Sequence, residues 1–313
     1  MKININQKKD VLIIVGPTAV GKTSLSLNIA DEIESEIVSA DSRQVYKLMN
    51  IGTAKPTADE QLRAVHHFID IKYPDEYYSA GQYAREARSV IDTIRSRDRL
   101  AIVVGGSGLY IRALVDGFFE DEVADEAVKQ SLRKIEKENG LTYLYEKLSE
   151  IDPQLAQKLH PNDSQRIKRA LEVWEISGKR LSDFQKKPNN PADFNPVFIG
   201  LSMEREVLYQ RIEDRVDKML EKGLIDEVRH ISKLGYSKNL PALQTVGYKE
   251  VFQLLDGEIN RERMVELIKQ KSRNYAKRQI TWFNKDQRIQ WYNITKTGKT
   301  NSPETTIVTF VNN

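Results

Sequence analysis

Eight residues near the N-terminus have the types and spacing of a loop that binds phosphate groups. Residues 16–23 fit the pattern G-x-x-x-x-G-K-[ST] and lie between an apolar run and a segment with helical spacing. The glycines let the backbone approach an anion, and the start of the following helix favours negative charge. Lys22 adds a positive charge, and the Thr23 hydroxyl can bind Mg²⁺. We therefore predict a pyrophosphate-like ligand at Gly16, Pro17, Thr18, Ala19, Val20, Gly21, Lys22 and Thr23.

Such loops are typical of ATP-binding and other nucleotide-binding proteins, but the loop alone does not select ATP. The sequence has no D-x-x-G motif, and residues 284–286 have the wrong spacing for N-K-x-D. These two observations disfavour a GTPase. A kinase that acts on a small molecule stays open.

A second candidate for chemistry is Asp41, which follows an apolar segment predicted to be a strand. The carboxyl ends of parallel strands form the edge where α/β proteins bind ligands. Asp41 could act there as a general base facing the phosphate loop. The alternative is a structural role as a helix cap or turn residue.

Short apolar segments and segments with helical spacing alternate along the chain and must position these residues. The helical pattern covers residues 24–33, 80–97 and 260–285. The predicted strands are Val11–Val15, Glu36–Ala40, Phe68–Ile71, Leu100–Val104 and Val197–Leu201. This alternation predicts an α/β fold: a P-loop NTPase-like parallel sheet flanked by helices, with right-handed crossovers.

A charged, Leu-rich stretch interrupts this alternation. Residues 125–178 have an almost continuous helical pattern, with a helix start at Pro153 and stops at Gly140 and Gly178. A Pro/Asn-rich linker covers residues 186–196. We predict a catalytic core of residues 1–118 and 197–313, with an inserted all-helical subdomain of residues 119–196.

Composition restricts the class of protein further. The 313 residues include no cysteine, which excludes disulfides, Cys-based zinc sites and thiol catalysis. No apolar run approaches the roughly 20 residues of a membrane span, and the N-terminus lacks signal-peptide features. These features predict a cytoplasmic protein. The net charge is only +3, but residues 261–288 hold nine Lys/Arg against three acids. This stretch suits RNA or is simply a solvated helix face.

Longer blocks of sequence carry a specific resemblance. They are residues 41–56 (DSRQVYKLMNIGTAKP), 66–71 (HHFIDI), 78–80 (YSA), 105–110 (GGSGLY), 160–163 (HPND), 165–166 (QR), 169–172 (RALE), 246–248 (VGY) and 276–282 (AKRQITW). In this order they resemble the tRNA dimethylallyltransferases, also called tRNA isopentenyltransferases. The resemblance implies transfer of a dimethylallyl group from dimethylallyl diphosphate to the N6 amine of adenosine 37, in the anticodon stem-loop of tRNA. We expect Mg²⁺ to help stabilise the charge on the leaving pyrophosphate, and since nothing in the sequence demands an oligomer, we expect a monomer.

The resemblance assigns roles to individual residues. The phosphate loop holds the pyrophosphate of the donor, with Thr18 among the catalytic residues. Asp41 takes the proton from the adenine amine, and Arg215 is a catalytic arginine near the pyrophosphate. From the sequence alone, an intrahelical ion pair with a residue such as Glu221 is the favoured role of Arg215, and only the resemblance reverses this preference. The implied tRNA contacts are Asp41, Ser42, Arg43, Gln44, Ser107, Lys129, Gln165, Arg166, Ile167, Lys168, Arg169, Gln244, Thr245, Val246, Gly247, Tyr248 and Lys249.

Ser107 stands where the family usually has Thr, and the hydroxyl is retained. Arg166 and Arg169 are three residues apart, so they share one helical face suited to phosphate or base contacts. Two alternatives remain. A P-loop kinase would consume ATP without RNA, and a non-catalytic RNA-binding protein would bind tRNA regardless of Lys22 or Asp41.

Overall fold

The computed structural model describes residues 2–4, 6–117, 125–186, 190–295 and 309–311. The strands are β1 (Lys2–Asn4), β2 (Asp10–Val15), β3 (Ser35–Ser39), β4 (Val65–His67), β5 (Leu100–Gly105), β6 (Asn195–Ser202), β7 (Gln290–Asn293) and β8 (Thr309–Val311). The helices are α1 (Lys22–Glu32), α2 (Ala58–Arg63), α3 (Ala80–Ser96), α4 (Gly108–Asp116), α5 (Glu126–Ile151), α6 (Pro153–Ala156), α7 (Ser164–Ser177), α8 (Leu181–Phe184), α9 (Arg205–Glu221), α10 (Leu224–Lys233), α11 (Tyr248–Leu255) and α12 (Arg261–Phe283).

Six strands form one parallel sheet in the order β4-β3-β5-β2-β6-β7. In the central strand, Ile13 lies opposite Val103 on one side and Phe198 on the other. β1 and β8 form a separate parallel pair. The predicted α/β fold with a parallel sheet is confirmed. Because every strand of the larger sheet runs in the same direction, the loops that follow the strands meet at one edge.

The sheet has a hydrophobic layer on each face, as its continuous apolar strands require. Val11, Ile13 and Val15 of β2 pack on one face, in a cluster that also contains residues of α3, α10 and α11. Leu12 and Ile14 point to the other face, in a cluster with residues of α1 and α9. Because the side chains of β2 pack alternately into both layers, the strand is held in position, and so is the phosphate loop that follows it.

The chain divides into two compact units, one of residues 1–115 with 192–313 and one of residues 116–191. The predicted boundaries are 118/119 and 196/197, of which the first falls on residues outside the described part. At the second, the larger unit begins earlier than predicted. The Ala192 N–H donates to the Val115 oxygen (2.9 Å), and β6 already begins at Asn195.

The smaller unit is helical throughout the part that the structure describes. Its core includes Leu144, Leu148 and Leu171 from α5 and α7. Gly140 interrupts α5 with a left-handed φ of 85°, and Gly178 ends α7 with a φ of 66°. None of the described helices of the chain combines the length and the apolar composition needed to cross a bilayer.

The third predicted strand is wrong in its position. β4 covers Val65–His67, and residues 68–71 form a loop. Phe68 and Asp70 adopt φ values of 64° and 56°, which an extended strand cannot include. The sequence analysis also missed β7, whose residues show no apolar run.

Candidate active site

The phosphate loop connects β2 to α1 at the carboxyl edge of the sheet. Gly16 has a φ of 146°, and a Cβ there would lie 2.6 Å from the Leu201 oxygen. Gly21, with a φ of 100°, is the N-cap of α1 and provides no side-chain cap. The N–H groups of the first helical turn therefore remain available for an anion.

Lys22 folds back over the loop that precedes it. Its Nζ donates to the oxygens of Gly16 (3.0 Å) and Pro17 (2.8 Å). Burial, together with the nearby charge of Arg215, lowers the pKa of Lys22 to about 7, although the charge of Asp41 opposes the shift. The lysine is therefore poised to gain a proton when an anion enters.

A cavity of about 280 Å³ adjoins the loop and contains the residues with candidate chemistry. It brings the Asp41 carboxylate, the Arg215 guanidinium and the phosphate loop to one place. Its lining residues are Thr18, Ala19, Gly21, Lys22, Thr23, Asp41, Gln44, Thr53, Ala54, Val104, Gly105, Gly106, Arg215, Tyr275 and Gln279. Asp41 and the phosphate loop therefore face the same cavity.

Asp41 follows β3, and one of its carboxylate oxygens has the turn role considered above. Its Oδ1 accepts from the N–H groups of Arg43 (2.8 Å) and Gln44 (3.4 Å), which fixes the turn. Within the described residues, Oδ2 has no hydrogen-bond partner. The turn therefore orients a carboxylate whose second oxygen is available to a ligand in the cavity.

Arg215 reaches the cavity from α9. Within the described part of the chain it forms no ion pair with an acid of its own helix, so the expected pairing with Glu221 is not found. Burial lowers the pKa of Arg215, and the charge of Asp41 partly opposes this effect. Because Arg215 is half-buried beside another cation, its charge is strongly stabilised when a multiply charged anion enters the site.

Three further side chains support the Asp41 turn. The Ser42 N–H donates to the Ser107 Oγ (2.9 Å), which joins the turn to the loop after β5. The Gln44 amide donates to the oxygens of Thr53 (3.4 Å) and Ala54 (3.2 Å). The Arg43 guanidinium donates to the Pro241 oxygen (3.0 Å). These side chains therefore have structural partners as well as the predicted contacts with tRNA.

Sequence reasoning missed two cavity residues on α12. Tyr275 lines the cavity, and burial raises its pKa to about 12. The Gln279 Oε1 accepts from the Thr18 N–H (2.8 Å), and its Nε2 donates to the Gly106 oxygen (3.0 Å). Gln279 lies inside the block 276–282, but no local signal shows that it faces the loop.

Residues 244–249 were predicted to contact tRNA, but the buried ones are structural. Tyr248 is fully buried, and its hydroxyl donates to Glu227 Oε1 (2.6 Å). The buried Gly247 N–H donates to the Glu250 carboxylate (2.7 Å). The Tyr248 side chain therefore does not fit the predicted RNA contact. Gln244 and Lys249 are exposed, whereas Thr245 and Val246 are half-buried.

Glu227 holds the loop that completes the cavity wall. Its carboxylate accepts from the N–H groups of Asn50 (2.9 Å), Ile51 (2.8 Å) and Gly52 (3.2 Å). A Cβ at Gly52 would lie 2.4 Å from the Tyr248 ring, so the loop packs directly on that ring. The next two residues along the chain, 53 and 54, line the cavity.

Glu227→Ala is expected to lower the free energy of unfolding by about 3 kcal/mol, because several donors lose a charged acceptor. Chemical denaturation followed by circular dichroism measures the loss. Asp226→Ala, one position earlier on α10 at a solvent-exposed ion pair with Arg229, is the matched control and should cost much less. Equal losses in the two variants would assign no special role to Glu227.

The predicted tRNA contacts of the smaller unit differ in accessibility. Gln165 and Arg166 are exposed. Lys168 pairs with Glu136, Arg169 with Glu172 and Lys129 with Glu126. Ile167 is fully buried in the helical core, so its side chain does not fit the predicted contact. It lies between two polar residues of α7 but points to the opposite face.

The basic stretch of residues 261–288 is partly neutralised in the structure. Lys269 pairs with Asp217 (2.7 Å), and Lys271 pairs with Glu250 (2.7 Å). Arg273 pairs with Glu213. Lys277 and Arg278 are exposed. The stretch is therefore a mixture of ion pairs that join neighbouring helices and of exposed cations near the C-terminal end of α12.

Pyrophosphate binding is expected to take up a proton at about pH 8, because Lys22 is then mostly neutral in the free protein and the ligand raises its pKa. At about pH 6 the lysine is already charged, so this uptake should vanish. Calorimetry in two buffers with different ionisation enthalpies measures the number of protons. Lys22→Met corrects for the titration of pyrophosphate itself, and the same uptake in this variant would exclude Lys22.

Most of the chain is similar to known proteins. A sequence model described as IPP transferase matches residues 44–286. A tRNA dimethylallyltransferase of Thermotoga neapolitana is 47% identical over 288 residues, which cover 92% of this chain and 93% of the relative. A tRNA isopentenylpyrophosphate transferase from Bacillus halodurans, whose crystal structure is known, is 41% identical in sequence. The two structures align with a TM-score of 0.67, and the alignment covers 91% of this chain and 90% of that chain. The structure of a eukaryotic dimethylallyltransferase acting on tRNA aligns with a TM-score of 0.77 and 28% sequence identity. The alignment covers 95% of this chain and 77% of that chain.

Proposed function

The chain belongs to the IPP transferase family, and we infer from this that it is a tRNA dimethylallyltransferase. It transfers a dimethylallyl group to the N6 amine of adenosine 37 in tRNA, which gives N6-isopentenyladenosine and pyrophosphate. The observation that carries this inference in the structure is the cavity that contains both Asp41 and the phosphate loop. A reaction between an amine and an allylic diphosphate needs a base and an anion site side by side.

We propose dimethylallyl diphosphate as the donor, with its diphosphate in the loop of residues 16–23. The loop offers backbone N–H groups, the start of α1 and the Lys22 ammonium. The Arg215 guanidinium adds a second positive charge in the same cavity. Together these groups match an anion that carries several negative charges on two phosphates.

The proposed reaction balances with these groups. The allylic C–O bond of the donor breaks, and its electron pair leaves with pyrophosphate. The N6 lone pair forms the new C–N bond, and the N6 proton passes to Asp41. Charge that builds on the leaving pyrophosphate is stabilised by Lys22, Arg215 and the loop N–H groups. Because the exocyclic amine is a weak nucleophile, alignment of the two reactants should contribute much of the rate.

We propose that Mg²⁺ accompanies the diphosphate. Within the described residues no cluster of three or more His or acidic side chains could hold a metal by itself. Thr23 lines the cavity, so its hydroxyl could bind a cation that takes its other ligands from phosphates and water, as Mg²⁺ usually does. Mg²⁺ bound there would neutralise part of the charge on the leaving group.

We propose that the anticodon stem-loop of tRNA contacts the exposed members of the predicted set. These include Gln165, Arg166, Gln244 and Lys249. The target base must leave the stack of the RNA loop to reach Asp41, as in other enzymes that modify bases. We also propose that the protein works in the cytoplasm as a monomer, since Asp41, Lys22 and Arg215 meet in one cavity within a single chain.

Arg166→Ala is expected to weaken tRNA binding and to reduce the slope of log K against log salt by about one. The reason is that Arg166 is exposed and its partner Asp163 also caps α7, so the guanidinium can exchange its partner for a phosphate. Filter binding at several salt concentrations measures the slope. Lys8→Ala removes an exposed charge at the opposite edge of the sheet and is the matched control. An unchanged slope would restrict Arg166 to a structural role.

The function is tested by mixing the protein with unmodified tRNA, Mg²⁺ and labelled dimethylallyl diphosphate, and by counting the label in RNA. A parallel reaction holds labelled ATP without RNA. Label in tRNA supports the transferase. No label in tRNA, together with consumption of ATP, would replace it with a small-molecule kinase.

A further inference from the structure

Gln279 joins the phosphate loop to the loop that follows β5. It is 6% exposed and lies on α12, far along the chain from either loop. Both ends of its amide are engaged, since Oε1 accepts from the Thr18 N–H and Nε2 donates to the Gly106 oxygen. A Cβ at Gly106 would lie 2.1 Å from Gln279 Nε2, so the amide packs directly against this backbone.

The first half of the phosphate loop is therefore tied down without a ligand. Lys22 holds the oxygens of Gly16 and Pro17, and Gln279 holds the N–H of the next residue, Thr18. The loop N–H groups left for an anion are those nearer the start of α1. At the Thr18 end, an incoming phosphate would meet a buried amide side chain that already occupies the donor.

We propose that Gln279 is a positioning residue that limits the loop to two phosphates. A diphosphate can use the N–H groups at the start of α1, whereas a third phosphate would have to displace the Gln279 amide from Thr18. The inference rests on the proposed function, because it explains how a loop of this type selects a diphosphate donor over a nucleoside triphosphate. Gln279 acts through the loop and the cavity shape, not on the reacting atoms.

The packing of α12 next to Gln279 indicates that this side of the cavity is rigid. Trp282, three residues after Gln279, faces Gly108 so closely that a Cβ there would lie 2.1 Å from its Nε1. Gly106 and Gly108 thus lie under two side chains of one helical face. Displacing Gln279 would require α12 to shift from this segment or would leave the amide without its partners. Leaving a buried amide without hydrogen-bond partners costs more free energy than the hydrogen bond itself contributes to stability.

The test measures dissociation constants of inorganic pyrophosphate and inorganic tripolyphosphate by calorimetry, with Mg²⁺ present. Charge alone would favour tripolyphosphate, so a wild-type preference for pyrophosphate supports the proposal. Gln279→Ala should lower the ratio of the tripolyphosphate constant to the pyrophosphate constant about tenfold, as expected when one hydrogen-bonded obstacle is removed. Gln279→Met, which keeps the length but loses the hydrogen bonds, should weaken pyrophosphate and change the ratio less.

Two results would overturn the proposal. One is a wild-type protein that prefers tripolyphosphate, and the other is an unchanged ratio in a folded Gln279→Ala protein. If the Ala variant does not fold, Gln279→Asn replaces it, since Asn is too short to reach both loops but keeps the amide. The binding ratio does not require transfer to tRNA. Failure of the proposed function would therefore show in the labelled-tRNA assay and not in this ratio.

Discussion

Asp41→Asn should reduce the transfer rate by about 10²-fold or more while leaving the affinity for tRNA nearly unchanged. The carboxylate is proposed to take the N6 proton, and an amide cannot. The turn should survive, because the Asn oxygen can still accept from the N–H groups of Arg43 and Gln44 as Asp41 Oδ1 does. The substitution thus removes a base and keeps the geometry around it.

Single-turnover transfer at saturating tRNA and donor measures the rate, and filter binding measures the affinity. Asp98→Asn is the matched control, since this exposed Asp precedes β5 at the opposite edge of the sheet and pairs with Lys8. It should transfer at the wild-type rate. If Asp41→Asn also reached that rate, Asp41 would be a turn residue alone and another group would have to accept the proton.

The residues that could be predicted are those placed by strands. Buried apolar runs in a parallel sheet bring the ends of β2, β3 and β5 to one edge. In the sheet, β5 lies between the other two, and a Cβ at Gly105 would lie 2.1 Å from the Ala40 oxygen. The glycines after β5 therefore allow Asp41 and the phosphate loop to approach each other. The order of strands is not contained in any local pattern.

The residues that could not be predicted are those placed by helices. A block of neighbouring residues on a helix contains several faces, so one block mixes surface and core. Arg166 and Ile167 are adjacent in sequence, yet one is exposed and the other is fully buried. Gln279 shows the converse, because it stands among exposed cations and faces the phosphate loop. The direction of each face is set by packing between distant segments.

Arg215→Met should lower the maximal rate by about 10² to 10³-fold, the usual effect of removing one group that stabilises developing negative charge. The donor KM should change less, because the charge on the leaving pyrophosphate is largest in the transition state. Met keeps the unbranched stem of the side chain and its packing on α9. Steady-state transfer to tRNA with varied donor separates the two parameters. A higher KM with an unchanged maximal rate would make Arg215 a binding residue alone.

Arg215→Met should also change the proton uptake on pyrophosphate binding and the melting temperature of the free protein. Arg215 lowers the pKa of Lys22, so its removal should raise that pKa above about 7 and reduce the proton uptake on pyrophosphate binding at about pH 8. At about pH 6, where Lys22 is charged, two cations confined with the single Asp41 carboxylate also oppose folding until an anion arrives. Arg215→Met should therefore raise the melting temperature of the free protein and reduce the further rise that pyrophosphate causes. A fall in the melting temperature of the free protein would mean that Arg215 stabilises the fold, and its position in the cavity would then need no catalytic explanation.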